Sequence, residues 1–118
     1  MPILLRILIV EDDAIIGMLL EEYVMMMGRE PIAVVDGVTP ALARIAQGGI
    51  DAAIVDVHLA DGDSGDPIAV ALAEANIPFL VATGGFTGAL GPAWQNRPVL
   101  AKPFTLSSLR EALGALDG

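Results

Sequence analysis

The chain has 118 residues, of which 54% are hydrophobic, and its 15 acidic and 6 basic side chains give a formal net charge of -9. This length and composition fit one folded domain with its own core, and they argue against a disordered chain. The acidic balance argues against nucleic acid and anionic membrane surfaces as partners, because both need stripes of Lys or Arg.

The first apolar run, Ile3 to Val10, is interrupted by Arg6 and continues into acidic residues, so it lacks the pattern of a signal peptide. No cysteine is present, which removes disulfides and thiol nucleophiles and fits a reducing compartment. The uncharged stretch from Ala75 to Asn96 holds too many glycines and prolines for a membrane span. We therefore expect a cytoplasmic protein that does not enter the membrane.

Short apolar runs alternate with amphipathic stretches along the whole chain. The runs are Ile3 to Val10, Pro31 to Val35, Ala52 to Val57, Pro78 to Ala82 and Pro98 to Ala101. Such alternation is typical of β/α units around a parallel sheet that is buried on both faces. The sequence therefore predicts a doubly wound α/β fold.

Apolar residues at helical spacing from Ile15 to Met27 predict the first helix, and Gly28 supplies its stop. Thr39 and Pro40 form an N-cap and first-turn pair for the second helix.

Asp66 and Pro67 repeat this pair for a third helix, and the last helix is predicted to open near Thr105. Between Phe86 and Asn96, glycines and Pro92 disfavour the further helix that the alternation predicts. We expect that segment to be short or mobile.

Polar side chains stand at the ends of most of the predicted strands. Glu11 and Asp12 end the first strand, Asp56 lies near the end of the third, Thr83 follows the fourth, and Lys102, the only lysine, ends the fifth. Ligands of open parallel sheets bind outside the carboxyl ends of the strands, so these side chains are expected at one edge.

Carboxylates gathered at one edge repel one another, and a pair about 4 Å apart costs roughly 4 kcal/mol at an effective dielectric near 20. Mg²⁺ prefers oxygen ligands and keeps several waters, which matches a few carboxylates and an incoming phosphate. A carboxylate beside such an ion can act as a nucleophile on a phosphoryl group. Lys102 would neutralise the transferring group, and Thr83 would donate a hydrogen bond to the product.

With these residues, the sequence resembles the receiver domains of two-component response regulators over its whole length. The resemblance rests on four motifs in the expected order, ILIVEDD (residues 7–13), IVDVHL (54–59), ATG (82–84) and KPF (102–104). It implies a flavodoxin-like fold of five parallel strands in the order 2-1-3-4-5. No repeat, linker or second domain is visible, so we expect residues 1–118 to be a single receiver domain without an output module.

The resemblance also implies the roles of the site residues. Asp56 would accept the phosphoryl group, and it would bind Mg²⁺ together with Glu11, Asp12 and the backbone carbonyl of His58.

Thr83 and Lys102 would bind the phosphoryl group, and the peptide between Lys102 and Pro103 would be cis. The donor would be a histidine kinase or a phosphotransfer protein. Output would be binding to a separate effector protein, as a monomer or as a phosphorylation-dependent dimer, so the protein would be a signalling component rather than an enzyme.

One position departs from the family. Most receivers carry Phe or Tyr three positions before the lysine, where this chain has Val99. The stretch IPFLVATGG is similar to a subgroup of stand-alone alphaproteobacterial receivers that lack this aromatic residue. Our hypothesis is that the segment from Gly84 to Gly91 orders or reorients on phosphorylation. Trp94, the only tryptophan, is open to two interpretations, core packing or an exposed anchor for a partner.

Two other functions remain open at this point. The first is a receiver-like binding module that is never phosphorylated. Val99 is compatible with it, because the usual aromatic residue is missing at this position. The second is an aspartyl-phosphate phosphatase of the dehalogenase type, which usually has a second acid where this chain has His58. Asp13 is interpreted as an acid at a helix N-terminus, with at most an indirect role in the site.

Overall fold

The computed structural model of the protein describes residues 5–57, 59, 65–84 and 91–117. Strands and helices alternate through these residues, with a 3₁₀ turn at Pro92–Trp94. The strands are β1 (Arg6–Val10), β2 (Glu30–Val35), β3 (Ala52–Asp56), β4 (Phe79–Thr83) and β5 (Val99–Ala101). The α-helices are α1 (Ala14–Met26), α2 (Val38–Gln47), α3 (Asp66–Glu74) and α4 (Leu106–Asp117).

The five strands form one sheet in the order β2-β1-β3-β4-β5, and every neighbouring pair is parallel. The predicted fold class and strand order are therefore confirmed. Because all the strands run the same way, their carboxyl ends share one edge of the sheet. The central strands β3 and β4 are buried at every residue, as expected for a sheet with helices on both faces.

Side chains alternate between two cores. In β1, Ile7 and Ile9 pack with residues of α1 and α4, whereas Leu8 and Val10 pack with residues of α2 and α3. This alternation follows from the two-residue period of a strand. The two cores fix the tilt and register of β1, and so they fix where the strand ends and the acidic residues begin.

The helix N-caps are partly as predicted. Asp13 caps α1, since its carboxylate accepts hydrogen bonds from the backbone N–H groups of Ile15 and Ile16. The prediction that Thr39 caps α2 is wrong, because the helix begins after Gly37 and Thr39 lies in its first turn. Pro40 is tolerated there because the N–H groups of a first turn have no partner within the helix.

The predicted cap of α3 is also wrong. The helix begins after Gly65, and Asp66 is its first residue rather than its N-cap. The Asp66 carboxylate instead accepts a hydrogen bond from the indole N–H of Trp94.

Residues 91–98, before β5, contain a 3₁₀ turn at Pro92–Trp94 and no α-helix, whereas residues 86–90 of the segment predicted to be short or mobile lie outside the described residues. Trp94 is only 4% exposed, so it packs in the core and is not an exposed anchor. Its indole meets the ring of Phe79 edge to face, and the Arg97 guanidinium lies 4.2 Å from the centre of the Phe79 ring.

Several expectations fall outside the described residues. They concern the carbonyl of His58 and most of the segment from Gly84 to Gly91, of which residues 85–90 are not described. Within the described residues, no helix has the length and apolar character that a membrane span requires.

Candidate functional site

The amine of Lys102 lies between two carboxylates at the carboxyl edge of the sheet. Its Nζ is 2.7 Å from Oε1 of Glu11 and 3.0 Å from Oδ2 of Asp56. Glu11 and Asp56 are 3% and 5% exposed, so Lys102 meets two buried carboxylates. Charge-assisted hydrogen bonds of this kind are roughly twice as strong as neutral ones.

Backbone contacts fix the two ends of this ion pair. The N–H of Glu11 donates to the carbonyl of Val35 at 2.9 Å, which continues the pairing of β1 with β2 past its last residue. The N–H of Lys102 donates to the carbonyl of Thr83 at 2.8 Å and extends the pairing of β4 with β5 in the same way. The peptide between Lys102 and Pro103 is cis, as the resemblance implied.

The three consecutive acidic residues after β1 have different positions: they are Glu11, Asp12 and Asp13. Asp13 caps α1, and its own N–H donates to Oε2 of Glu11 at 3.1 Å, so the start of the helix holds the Glu11 carboxylate in place. Asp12 is exposed on the rim. The carboxylate of Glu11 therefore lies in the pocket, that of Asp12 faces solvent, and that of Asp13 caps α1.

An oxygen from each of Glu11, Asp12 and Asp56 lies within 4.8 Å of the other two. A ligand set made up of carboxylate oxygens suits a hard cation such as Mg²⁺. Two of these three carboxylates are buried, so the cluster is not simply a patch of solvent-exposed acids. The residues present therefore fit the ion that the resemblance implied.

Thr83 is a buried polar residue at the end of β4, the strand beside β3. In the register of the sheet, Asp56 pairs with Ala82 and Thr83 pairs with Ala101, so Thr83 stands between the strand of Asp56 and the residue before Lys102. The structure thus brings Glu11, Asp12, Asp56 and Lys102 together and places Thr83 at the same edge.

Burial raises the pKa of Glu11 to about 7, although its hydrogen bonds with Lys102 and the Asp13 backbone act in the opposite direction. The nearby negative charge of Asp56 adds to the increase. Burial also acts to lower the pKa of Lys102, but its hydrogen bonds with Glu11 and Asp56 outweigh burial and raise it. Lys102 is therefore a permanent cation in this pocket, while Glu11 exchanges its proton near neutral pH.

Two features of this region were missed by sequence reasoning. Asp36 follows β2 and lines a groove of about 430 Å³ that also includes Glu11 and Asp12. The rule that polar residues follow strand ends would have found it. The second feature is Gly65, where an added Cβ would lie 3.1 Å from the Trp94 ring and 3.2 Å from the backbone oxygen of Asp56. No pattern in the sequence indicates that contact.

A doubly wound α/β domain with carboxylates and a lysine at the carboxyl edge has the architecture of the receiver class. No protein-family model matches the chain, and neither does any curated protein. Solved structures do match it. The solution structure of SdrG from Sphingomonas melonis Fr1 is 47% identical, with 98% of each chain covered and a TM-score of 0.87.

The BeF3-activated conformation of SdrG from Pseudomonas melonis Fr1 is also 47% identical, with both chains fully covered (100%) and a TM-score of 0.84. The PhyR response regulator REC domain of Erythrobacter litoralis is 25% identical, with 95% of this chain and 88% of that one covered and a TM-score of 0.77. The chain therefore belongs to the family of response regulator receiver domains, which are the receiving components of two-component signalling.

Proposed function

We propose that Asp56 of this receiver accepts a phosphoryl group from a phosphohistidine donor, either a histidine kinase or a phosphotransfer protein. The observation that carries the proposal is the double contact of Lys102, whose Nζ is within 3.0 Å of both Glu11 and Asp56. The fixed cation beside this buried carboxylate can stabilise a reaction partner that carries several negative oxygens.

In the proposed step, a carboxylate oxygen of Asp56 forms a bond to phosphorus while the bond from phosphorus to the donor nitrogen breaks. The electron pair of that bond stays on the imidazole of the donor, which takes up a proton. Lys102 would stabilise the negative oxygens of the transferring group, and Thr83, at the end of β4, would donate a hydrogen bond to them. The product is an acyl phosphate on Asp56.

Glu11, Asp12 and Asp56 would hold Mg²⁺ through their oxygens. The bound ion would supply charge neutralisation for the phosphoryl oxygens. The carbonyl of His58 stays a proposed ligand as well.

Output would pass to a separate effector protein, with residues 1–118 acting as one receiver domain. The similar receiver domain of PhyR from Erythrobacter litoralis belongs to a response regulator, which fits a role in regulation. The effector would be a protein that distinguishes the phosphorylated from the unphosphorylated state of Asp56.

Acetyl phosphate with Mg²⁺ tests the proposal without a kinase. Intact-protein mass spectrometry should show the gain of one phosphoryl group by the wild type and none by Asp56→Asn. Asp51→Asn is a matched control, because Asp51 directly precedes β3 at the opposite end of the strand from Asp56. It should be labelled like the wild type, and chelation of Mg²⁺ should prevent labelling of both. Labelling of Asp56→Asn to the wild-type level would refute the assignment.

A further inference from the structure

Gly65 lies beside both the indole of Trp94, the only tryptophan, and the backbone carbonyl of Asp56. An ideal Cβ on Gly65 would lie 3.1 Å from both Cζ2 and Cη2 of Trp94 and 3.2 Å from the backbone oxygen of Asp56. The φ of Gly65 is -76°, which any residue adopts, so the constraint at this position is space rather than backbone conformation. The indole and the carbonyl of Asp56 thus both border the space that a side chain at position 65 would need.

The indole is fixed from its other end. Trp94 Nε1 donates to Oδ1 of Asp66 at 2.5 Å, and Asp66 is the first residue of α3. The same carboxylate lies against Gly91, where an added Cβ would be 3.1 Å from Oδ2. Edge-to-face packing on Phe79 holds the ring at a third point. With only 4% exposure, the indole has no room to move without displacing these neighbours.

Gly65 also connects directly to the end of β3. Its N–H donates to the carbonyl of Val57, the residue after Asp56, and its own carbonyl accepts the N–H groups of Ile68 and Ala69 in α3. A displacement of the Gly65 backbone therefore reaches the peptide of Asp56 and the start of α3 together.

We propose that Trp94, anchored by Asp66, is a positioning residue for Asp56. Its indole lies beside Gly65, and Gly65 in turn lies against the peptide that carries the phosphoacceptor side chain and holds it in position. The proposal rests on the proposed function, because it takes Asp56 as the phosphoacceptor. Because the indole and the Asp56 peptide are coupled through Gly65, occupancy of the pocket should in turn change the environment of the indole.

The test measures the affinity for beryllofluoride, an analogue of the phosphoryl group, by fluorine NMR in the presence of Mg²⁺. Gly65→Ala should weaken binding by about three- to thirtyfold, the range of coupling energies carried by packed networks. Trp94→Phe removes the ring atoms that the new Cβ meets. In the Trp94→Phe background, Gly65→Ala should therefore have a clearly smaller effect, and a double-mutant cycle measures that difference.

A second pair of variants tests the anchor. Asp66→Ala removes the acceptor of the indole N–H and should weaken analogue binding, whereas Asp66→Asn keeps an oxygen acceptor without the charge and should restore it. The analogue should also change the fluorescence of Trp94 in the wild type and in Asp66→Asn, but not in Asp66→Ala. All variants are compared at a temperature at which circular dichroism shows them folded, and the Asp66 pair decides the outcome if Gly65→Ala does not fold.

The positioning role is overturned if Asp66→Ala and Gly65→Ala bind the analogue as tightly as the wild type. It is also overturned if the Gly65→Ala effect is unchanged in the Trp94→Phe background, since the clash with the Asp56 carbonyl would then act alone. A wild type that does not bind the analogue at all would overturn the proposed function and this inference together, so the two failures are distinguishable.

Discussion

Lys102 lies nearer to Glu11 than to Asp56, with its Nζ at 2.7 Å from one carboxylate and 3.0 Å from the other. The amine therefore compensates the charge of a proposed metal ligand as well as that of the proposed nucleophile. Lys102 is the only lysine of the chain and contacts both carboxylates, so it contributes directly to the charge balance of the pocket.

Replacing Lys102 by methionine should remove the positive charge that contacts two buried carboxylates. We expect the free energy of unfolding to fall by about 1–3 kcal/mol near pH 8, where Glu11 is ionised, and by less near pH 6. Urea unfolding without divalent ions measures the effect. Arg110→Met is the control, because it removes a positive charge from an exposed position of α4 and should change stability little. An equal loss in both variants would contradict the prediction.

Removal of the Asp56 charge should stabilise the metal-free protein. Burial and, in addition, the charge of Asp56 raise the pKa of Glu11, which shows that the two carboxylates repel each other. Asp56→Asn keeps an oxygen for Lys102 and removes that repulsion, so we expect a gain of about 1 kcal/mol near pH 8. A higher urea midpoint is the expected result, and a lower midpoint would show that the ion pair with Lys102 outweighs the repulsion.

The affinity for Mg²⁺ should increase between pH 6 and pH 8. A carboxylate must be ionised to bind the ion, and burial raises the pKa of Glu11 to about 7. The ionised fraction of such a group, and with it the affinity, rises about tenfold across this interval. Titration with Mg²⁺, followed by the fluorescence of Trp94 or by calorimetry, measures the dependence. Glu11→Gln should bind weakly and without this dependence.

The raised pKa of Glu11 also predicts how the stability of the metal-free protein depends on pH. Burial raises its pKa from the ordinary 4.5 to about 7, so between these values the folded state holds a proton that the unfolded state has lost. The contribution of Glu11 is therefore favourable at low pH and is lost as the pH rises through 7. The difference in stability between the wild type and Glu11→Gln should follow this curve, and a constant difference between pH 5 and pH 8 would contradict it.

Arg29 and Asp117 join the turn after α1 to the end of α4 through two hydrogen bonds of 2.9 and 2.6 Å, with side chains only 8% and 19% exposed. Asp117→Asn should lower the free energy of unfolding by about 1–3 kcal/mol.

The pair of Arg6 and Asp51 is the comparison, because its side chains are 50% and 30% exposed and its ion pair is 3.5 Å long. Arg6→Met should cost less than about 1 kcal/mol, as is usual for exposed pairs. Both effects are measured by thermal unfolding, and an equal cost would show that burial does not distinguish the two pairs.

The sheet could be predicted because its strands are buried on both faces. Runs such as Ala52 to Val57 are apolar at almost every position. Short runs of this kind are typical of the buried strands of a parallel sheet, so few other structures were open to them. The gathering of Glu11, Asp56 and Lys102 followed from the same reasoning, since parallel strands end at one edge. A lone cation at a strand end was the strongest single indication.

Local helix signals were less reliable. Thr39 and Asp66 are both good N-cap residues followed by proline, yet each helix begins one or two residues earlier at a glycine. For Asp66, a tertiary contact with Trp94 takes the place of the local cap. That contact joins residues 28 positions apart, and the raised pKa of Glu11 depends on burial, so neither could be derived from local sequence.

Asp56 is proposed to be the one carboxylate that takes up the phosphoryl group. Borohydride reduction of the protein after treatment with acetyl phosphate and Mg²⁺ converts an aspartyl phosphate into homoserine, and peptide mapping then locates the modified residue. We expect homoserine at position 56 alone. Modification at another acidic residue of the pocket, with Asp56 intact, would contradict it.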